Sequence, residues 1–110
     1  MIAEISDKRD EIIALCERHG VIRLGVFGSA ARGDDFNLEK SDIDFLVLFD
    51  GRDRVDYIDR FLGLADSLEA LLGRSVDLVT ELSVQSPIFK AAVERDLEQI
   101  YARPAHQTAA

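Results

Sequence analysis

The chain is poor in cysteine and histidine, and these two shortages exclude several kinds of chemistry. Cys16 is the one cysteine among 110 residues, so no disulfide can form within the chain and a reducing compartment is expected. Histidine occurs only at His19 and His106, which leaves almost nothing for histidine-based acid–base catalysis or a zinc site. Because Cys16 lies on the apolar face of a predicted helix, we interpret it as a small buried hydrophobe rather than a reactive thiol.

Long apolar runs and dense clusters of basic residues are also missing from the sequence. No stretch is long enough to span a bilayer, and no basic segment followed by an apolar run marks the N-terminus. We therefore expect a cytoplasmic protein with no membrane partner. The formal net charge is −8, and such a field repels nucleic acid, whose binding depends on cation–phosphate contacts. Direct binding of nucleic acid is not expected.

The length and composition predict one folded domain of ordinary hydrophobicity. Domains most often contain about 100–150 residues, and 47% of these residues are hydrophobic, which argues against global disorder. The chain has little room for a separate substrate-binding domain. A large acceptor would therefore need a surface supplied from elsewhere.

Hydrophobic periodicity predicts helices that alternate with strands. The predicted helices cover about residues 3–19, 30–32, 55–72 and 87–95, and the predicted strands cover about 21–27, 42–49, 76–80 and 97–101. The longest helix carries an apolar stripe that we interpret as core, made of Ile58, Phe61, Leu62, Ala65, Leu68, Leu71 and Leu72. This order of elements predicts an α/β (α+β) domain in which helices pack against a sheet.

Two aspartates open an otherwise apolar strand. Side chains at i and i+2 of a strand project from the same face, so Asp42 and Asp44 point the same way. Two carboxylates about 5 Å apart would repel by about 3 kcal/mol at an effective dielectric near 20. Asp77 lies among apolar residues of the next predicted strand, and adjacent strands could bring all three together. Carboxylate oxygens are the ligands that Mg²⁺ prefers, so the sequence predicts a magnesium site.

A small-residue turn follows the first predicted strand at Gly28 and Ser29. Unpaired N–H groups at a helix start favour phosphate, and the Ser29 hydroxyl could donate to a phosphate oxygen while it caps the helix. A Gly-Ser turn in this position can equally be a plain structural turn. Arg32 could steady a triphosphate or touch a partner protein, or it could be an exposed side chain paired with Asp34 or Asp35.

Three motifs together resemble the nucleotidyltransferase superfamily related to DNA polymerase beta. These are Gly-Ser-Ala-Ala-Arg-Gly, then Ser-Asp-Ile-Asp-Phe-Leu-Val, and a later Val-Asp-Leu-Val, with twelve residues between Ser29 and Asp42. The short chain is most similar to the minimal nucleotidyltransferases, the antitoxins of HEPN/MNT toxin–antitoxin pairs. The resemblance implies a small mixed β-sheet flanked by helices, in a polymerase beta-like domain over residues 1–102. A flexible tail is expected over residues 103–110.

The resemblance also implies roles for the motif residues. Asp42 and Asp44 would hold two Mg²⁺ ions, and Asp77 would complete the ion that activates the acceptor hydroxyl. Gly28 and Ser29 would bind the β- and γ-phosphates of ATP. AMP would then pass from ATP to a hydroxyl, expected to be that of a tyrosine, on a HEPN-type toxin held in a hetero-oligomer with this chain.

Two other functions remain open at this point. The chain could neutralise its partner by binding alone, with the motif catalytically idle. Alternatively, the acceptor could be a small molecule, although no second domain is present to form a pocket for it.

Overall fold

A four-stranded sheet forms the centre of the computed structural model, which describes residues 1–33, 42–51 and 56–104. The strands are β1 (Val21–Phe27), β2 (Ile43–Phe49), β3 (Val76–Thr80) and β4 (Glu98–Ala102), in the spatial order β3-β2-β1-β4. β1 is antiparallel to both of its neighbours, whereas β2 and β3 are parallel. A parallel pair needs a long crossover, which here contains a sixteen-residue helix, Tyr57–Leu72. The predicted fold class is confirmed.

The described helices differ from the predicted ones mainly at the start of the chain. They are α1 (Ala3–Ser6), α2 (Arg9–Arg18), α3 (Ser29–Arg32), α4 (Tyr57–Leu72) and α5 (Pro87–Asp96), with a 3₁₀ turn at Glu81–Ser83. The prediction of one continuous helix over residues 3–19 was wrong. Residues 6–10 are all polar, so no apolar side chain holds this turn of helix against the core. None of the described helices combines the length and apolar character that a bilayer span requires.

The two faces of the sheet have different environments. Along β2 the side chains of Ile43, Phe45 and Val47 are fully buried, whereas those of Asp44 and Leu46 alternate with them and are partly exposed. Helices α2 and α4 pack on the buried face and form one hydrophobic core with it. Helix α5 lies against β1 on the other face. Val93 is its one buried residue, so this helix covers little of that face and leaves the rest open. The aspartates of the motif therefore belong to the open face.

The apolar stripe predicted for α4 was wrong at Ile58 and Leu62, whereas Phe61, Ala65 and Leu71 pack against the core as predicted. Ile58 and Leu62 are 67% and 54% exposed, while the buried residues of this helix are Leu64, Leu68 and Leu72. These three are spaced by four residues, and the same spacing leads back to Arg60. The first position of the buried face of α4 is therefore the charged residue Arg60. A search for apolar residues alone does not find this face.

Arg60 joins three elements at one edge of the core. Its guanidinium donates to the carbonyl of Asp50 at 2.7 Å and to that of Gly20 at 3.3 Å, beyond the ends of β2 and α2. It also pairs with Asp56 at 3.0 Å and lies over the ring of Phe49 at 5.5 Å. Its side chain is 14% exposed. Arg60 thus satisfies backbone carbonyls that end two elements, which neutral core residues could not do.

The end of the described chain is attached to the sheet. The N–H of Arg103 donates to the carbonyl of Ile22 at 2.7 Å, and its guanidinium pairs with Asp50 at 3.1 Å. Residues 105–110 lie outside the described residues. The division into a domain over residues 1–102 and a flexible tail stays a prediction.

Candidate active site

The strand register brings the predicted metal ligands to one edge of the open face. Asp44 and Asp77 are paired residues of the parallel strands β2 and β3, and Phe27 at the end of β1 is the partner of Asp44 on the other side. Paired residues of adjacent strands are about 4.8 Å apart and project from the same face. Asp42 immediately precedes β2, two residues before Asp44. The three aspartates therefore meet where the ends of three strands come together.

The electrostatics of this edge favour a cation. Burial, and after it the negative charges of Asp77 and Asp42, together raise the pKa of Asp44 from its ordinary value to about 6. Asp42 and Asp77 are themselves exposed. A partly buried carboxylate destabilised by two neighbouring carboxylates is stabilised by a divalent cation with a preference for oxygen ligands. The residues present therefore fit Mg²⁺.

The three carboxylates do not yet surround a single point. In residues 1–33, 42–51 and 56–104, no three acidic, histidine or cysteine side chains converge closely enough to form a metal-binding cluster. The backbone pairing places the ligands on one face, and side-chain rotation has to complete the coordination shell.

Gly28 lies directly against the carboxylate of Asp44. Its φ of 72° and ψ of −154° fall in a region that only glycine adopts readily. A Cβ atom on Gly28 would be 2.7 Å from Oδ2 of Asp44, which is too close for any side chain to remain in place. The glycine of the Gly-Ser turn therefore makes room for the carboxylate of Asp44 on the neighbouring strand. The motif resemblance implied only a phosphate-binding role for Gly28.

Ser29 is the first residue of α3, and the expectation that it caps this helix was wrong. The cap position is taken by Gly28, whose carbonyl accepts from the N–H groups of Ala31 and Arg32 at 3.1 and 3.2 Å. No side-chain hydrogen bond caps the helix. The helix starts immediately after the strand, so Ser29 is already inside it. A contact between its hydroxyl and a phosphate stays a prediction.

Arg32 ends α3 and forms an ion pair with Asp96 at the end of α5. The distance from Nη1 of Arg32 to Oδ2 of Asp96 is 2.7 Å. Asp34 and Asp35, the partners considered from sequence, lie outside the described residues. Sequence reasoning missed Asp96. The sequence feature that could have indicated Asp96 is its place in the last turn of a helix, where the helix dipole disfavours a negative charge that has no partner.

A groove lies on the open face of the sheet, farther along β1 and β2 than the aspartates. On this face of the sheet, the pair of residues next to Phe27 and Asp44 along β1 and β2 is Gly25 and Leu46. The groove has a volume of about 440 Å³, and its walls include Arg23, Gly25, Leu46, Glu81, Lys90 and Leu97. Arg23 and Glu81 form a bidentate ion pair at its wall. The face that carries the aspartates thus has space for a bound molecule beside them.

Comparison with known proteins agrees with this geometry. The sequence profile of the nucleotidyltransferase domain matches residues 12–100. The protein adenylyltransferase MntA of Thermococcus cleftensis is 44% identical over 79 residues, which are 72% of this chain and 75% of that protein.

Two solved structures share the fold. The structure of a candidate minimal nucleotidyltransferase superposes with a TM-score of 0.63 at 39% identity and covers 86% of this chain and 90% of its own. A chain of a toxin–antitoxin complex with AMP-PNP has a TM-score of 0.63 at 26% identity, over 92% of this chain and 78% of its own. The mixed sheet, the Gly-Ser turn against Asp44 of β2 and these similarities lead to one conclusion: the chain belongs to the nucleotidyltransferase domain family and is a nucleotidyltransferase.

Proposed function

We propose that this chain is an Mg²⁺-dependent protein adenylyltransferase that transfers AMP from ATP to a tyrosine hydroxyl of a HEPN-type toxin, and so acts as its antitoxin in the cytoplasm. The observation that carries the chemistry is the pairing of Asp44 with Asp77 in adjacent parallel strands. Gly28 lies against the same carboxylate, so the phosphate-binding turn and the metal ligands belong to one site.

Each group of the site has a place in the transfer. Asp42 and Asp44 would hold both Mg²⁺ ions, and Asp77 would complete the one nearer the acceptor. When bound, these ions supply positive charge to the reacting phosphate and to the attacking and leaving oxygens. The acceptor oxygen forms a bond to the α-phosphorus, the bond from that phosphorus to the oxygen bridging the β-phosphate breaks, pyrophosphate leaves, and the hydroxyl proton passes to solvent. Ser29 and the turn hold the departing phosphates.

A protein acceptor fits the exposure of the aspartates. Asp42 and Asp77 are exposed and Asp44 is partly exposed, so the hydroxyl of a large acceptor can reach them. The relative from T. cleftensis is named a protein adenylyltransferase, and one structural neighbour is a toxin–antitoxin complex with AMP-PNP, an ATP analogue. The net charge of −8 would attract a basic partner such as an RNA-binding toxin.

The test is label transfer to the cognate HEPN-domain protein, sought among proteins encoded beside this chain. ATP labelled at the α-phosphate should leave its label on that protein when Mg²⁺ is present, and EDTA should abolish the transfer. Mass spectrometry should find one or more AMP groups on a tyrosine only when this chain is active. Label on a different residue type would overturn the tyrosine assignment alone.

Matched variants separate catalysis from binding. Asp44→Asn and Asp77→Asn should abolish transfer, whereas Asp66→Asn removes the same charge from an exposed position on α4 and should leave transfer unchanged. If Asp77→Asn still silences the toxin in cells at normal expression, neutralisation works by binding alone. If both site variants transfer AMP at the wild-type rate, the assigned metal ligands are wrong.

A further inference from the structure

We propose that Asp96 is a positioning residue for nucleotide binding: it holds the guanidinium of Arg32 beside the Gly28–Ser29 turn, so that the phosphates of ATP meet a cation already in place. The proposal deepens the function given above and rests on it, because it takes Arg32 to contact the triphosphate. Asp96 itself touches no substrate in this scheme and acts through Arg32.

The contact between the two side chains is short, and Asp96 is much less exposed than Arg32. Nη1 of Arg32 lies 2.7 Å from Oδ2 of Asp96, and the aspartate side chain is 10% exposed against 36% for the arginine. Arg95 also contacts Asp96, but at 3.4 Å and with a side chain that is 71% exposed. The carboxylate is therefore enclosed between α5 and α3, with its shortest described bond directed at the helix that follows the Gly-Ser turn.

Within α5, the described partner that favours an aspartate at this position is Arg95. Asp96 is the last residue of the helix, where the negative end of the helix dipole opposes a carboxylate. Hydrogen bonds from Arg95 and from Arg32 hold the pKa of Asp96 below its ordinary value, so it is ionised at neutral pH. The ionised carboxylate of Asp96 is thus stabilised by two arginines. One of them, Arg32, is the last residue of α3, the helix that follows Gly28.

Helix α5 is fixed to the same turn at a second point. The ring of Phe89, in its first turn, packs edge-to-face on Phe27 with centroids 6.2 Å apart. Phe27 immediately precedes Gly28. The helix is therefore anchored before the turn by Phe27 and after it by Arg32. A carboxylate carried on a helix anchored in this way can keep a long side chain in one orientation before the ligand arrives.

The test measures binding of ATP with Mg²⁺ by isothermal titration calorimetry, which needs no acceptor. Ordering one long side chain costs about 0.5–1.5 kcal/mol, so Asp96→Asn should raise Kd about 3- to 10-fold. Asp66→Asn removes the same charge from an exposed position on α4, which packs on the other face of the sheet. Its Kd should stay unchanged. In the transfer assay Asp96→Asn should raise KM for ATP and leave kcat unchanged.

A double-mutant cycle shows whether Asp96 acts through Arg32. Arg32→Ala should weaken binding, and adding Asp96→Asn to it should cause no further loss. An unchanged or tighter Kd in Asp96→Asn, or an equal loss in the Arg32→Ala background, would overturn the inference and leave the proposed function standing. Failure of the wild-type chain to bind ATP with Mg²⁺ would overturn both. Because the pair lies near the surface, its removal should not prevent folding.

Discussion

Replacing Gly28 by alanine should inactivate the site by displacing a metal ligand, in addition to straining the backbone. The added Cβ would lie 2.7 Å from Oδ2 of Asp44. Since β2 is central in the sheet and its backbone is held on both sides, the side chain of Asp44 has to turn away. The ligand is then no longer directed toward Asp77, the partner it faces across the strand pair.

The strain can be estimated from the backbone angles. Alanine at φ 72° and ψ −154° occupies a region that costs about 1–3 kcal/mol for any residue but glycine. We therefore expect the free energy of unfolding to fall by that amount, which lowers stability without unfolding an average domain of about 5–15 kcal/mol. Loss of stability alone would leave most molecules folded, so a large loss of activity must come from the displaced carboxylate.

Gly33 provides the matched control. It ends α3 at φ 80° and ψ −3°, also left-handed, and a Cβ there would meet no atom within 4 Å. Gly33→Ala should cost about 1–2 kcal/mol of backbone strain and leave Asp44 undisturbed.

Urea unfolding and Mg²⁺-dependent AMP transfer should be measured on both glycine variants. Gly28→Ala should lose at least about 100-fold in transfer, as expected when a metal ligand leaves its place, whereas Gly33→Ala should transfer at nearly the wild-type rate. Equal activities in the two variants would show that the contact between Gly28 and Asp44 is unimportant, and the reasoning would be refuted.

Three further predictions concern stability and reactivity. Arg60→Ala should lower the free energy of unfolding by about 2–4 kcal/mol, because the backbone carbonyls that follow α2 and β2 lose their charged donor. As a control, Arg95→Ala removes a side chain that is 71% exposed, and it should change the free energy of unfolding by less than about 0.5 kcal/mol in the same urea titration. Burial, and secondarily the charge of Glu17, raise the pKa of Cys16 to about 12, so iodoacetamide should label it only in urea; labelling of the native chain at the rate of a free thiol would contradict its buried position. Because the native pKa of Asp44 is raised to about 6, the folded state binds a proton more tightly than the unfolded state, and the wild-type chain in EDTA should lose stability as pH rises from about 4 to about 6. Asp44→Asn should be more stable than wild type by about 1–2 kcal/mol above that range, after discounting for partial solvent exposure, and the difference should shrink toward pH 4.

The strands and the site edge could be predicted because their signals are local. The alternation along β2 distinguishes a buried from an open face, and the two aspartates fall on the open one. Asp77 lies opposite Asp44 as the motif resemblance implied, and apolar rungs such as Phe45 with Leu78 follow it in the register. Ser86 also caps α5 as the Ser-Pro pair indicates. These features depend on residue periodicity and turn chemistry, which a sequence displays directly.

The features that the sequence did not reveal depend on contacts between distant segments. Arg60 lies at the start of the buried face of α4, where its guanidinium donates to carbonyls forty and ten residues away. Asp96 meets Arg32 across 64 positions of sequence. Gly28 is confined by a side chain of the neighbouring strand rather than by its own turn. No pattern within one element contains this information.

The outer position of β3 has a kinetic consequence. Among the described strands β3 bonds to β2 alone, so it can fray while the other three strands remain paired. Each such opening would carry Asp77, a proposed metal ligand, away from Asp44 and so interrupt AMP transfer without unfolding the domain. The amide hydrogen-exchange rates of Asp77 and Val79 therefore report how much of the time the protein is competent for catalysis, and a partner that protects these amides would raise that fraction.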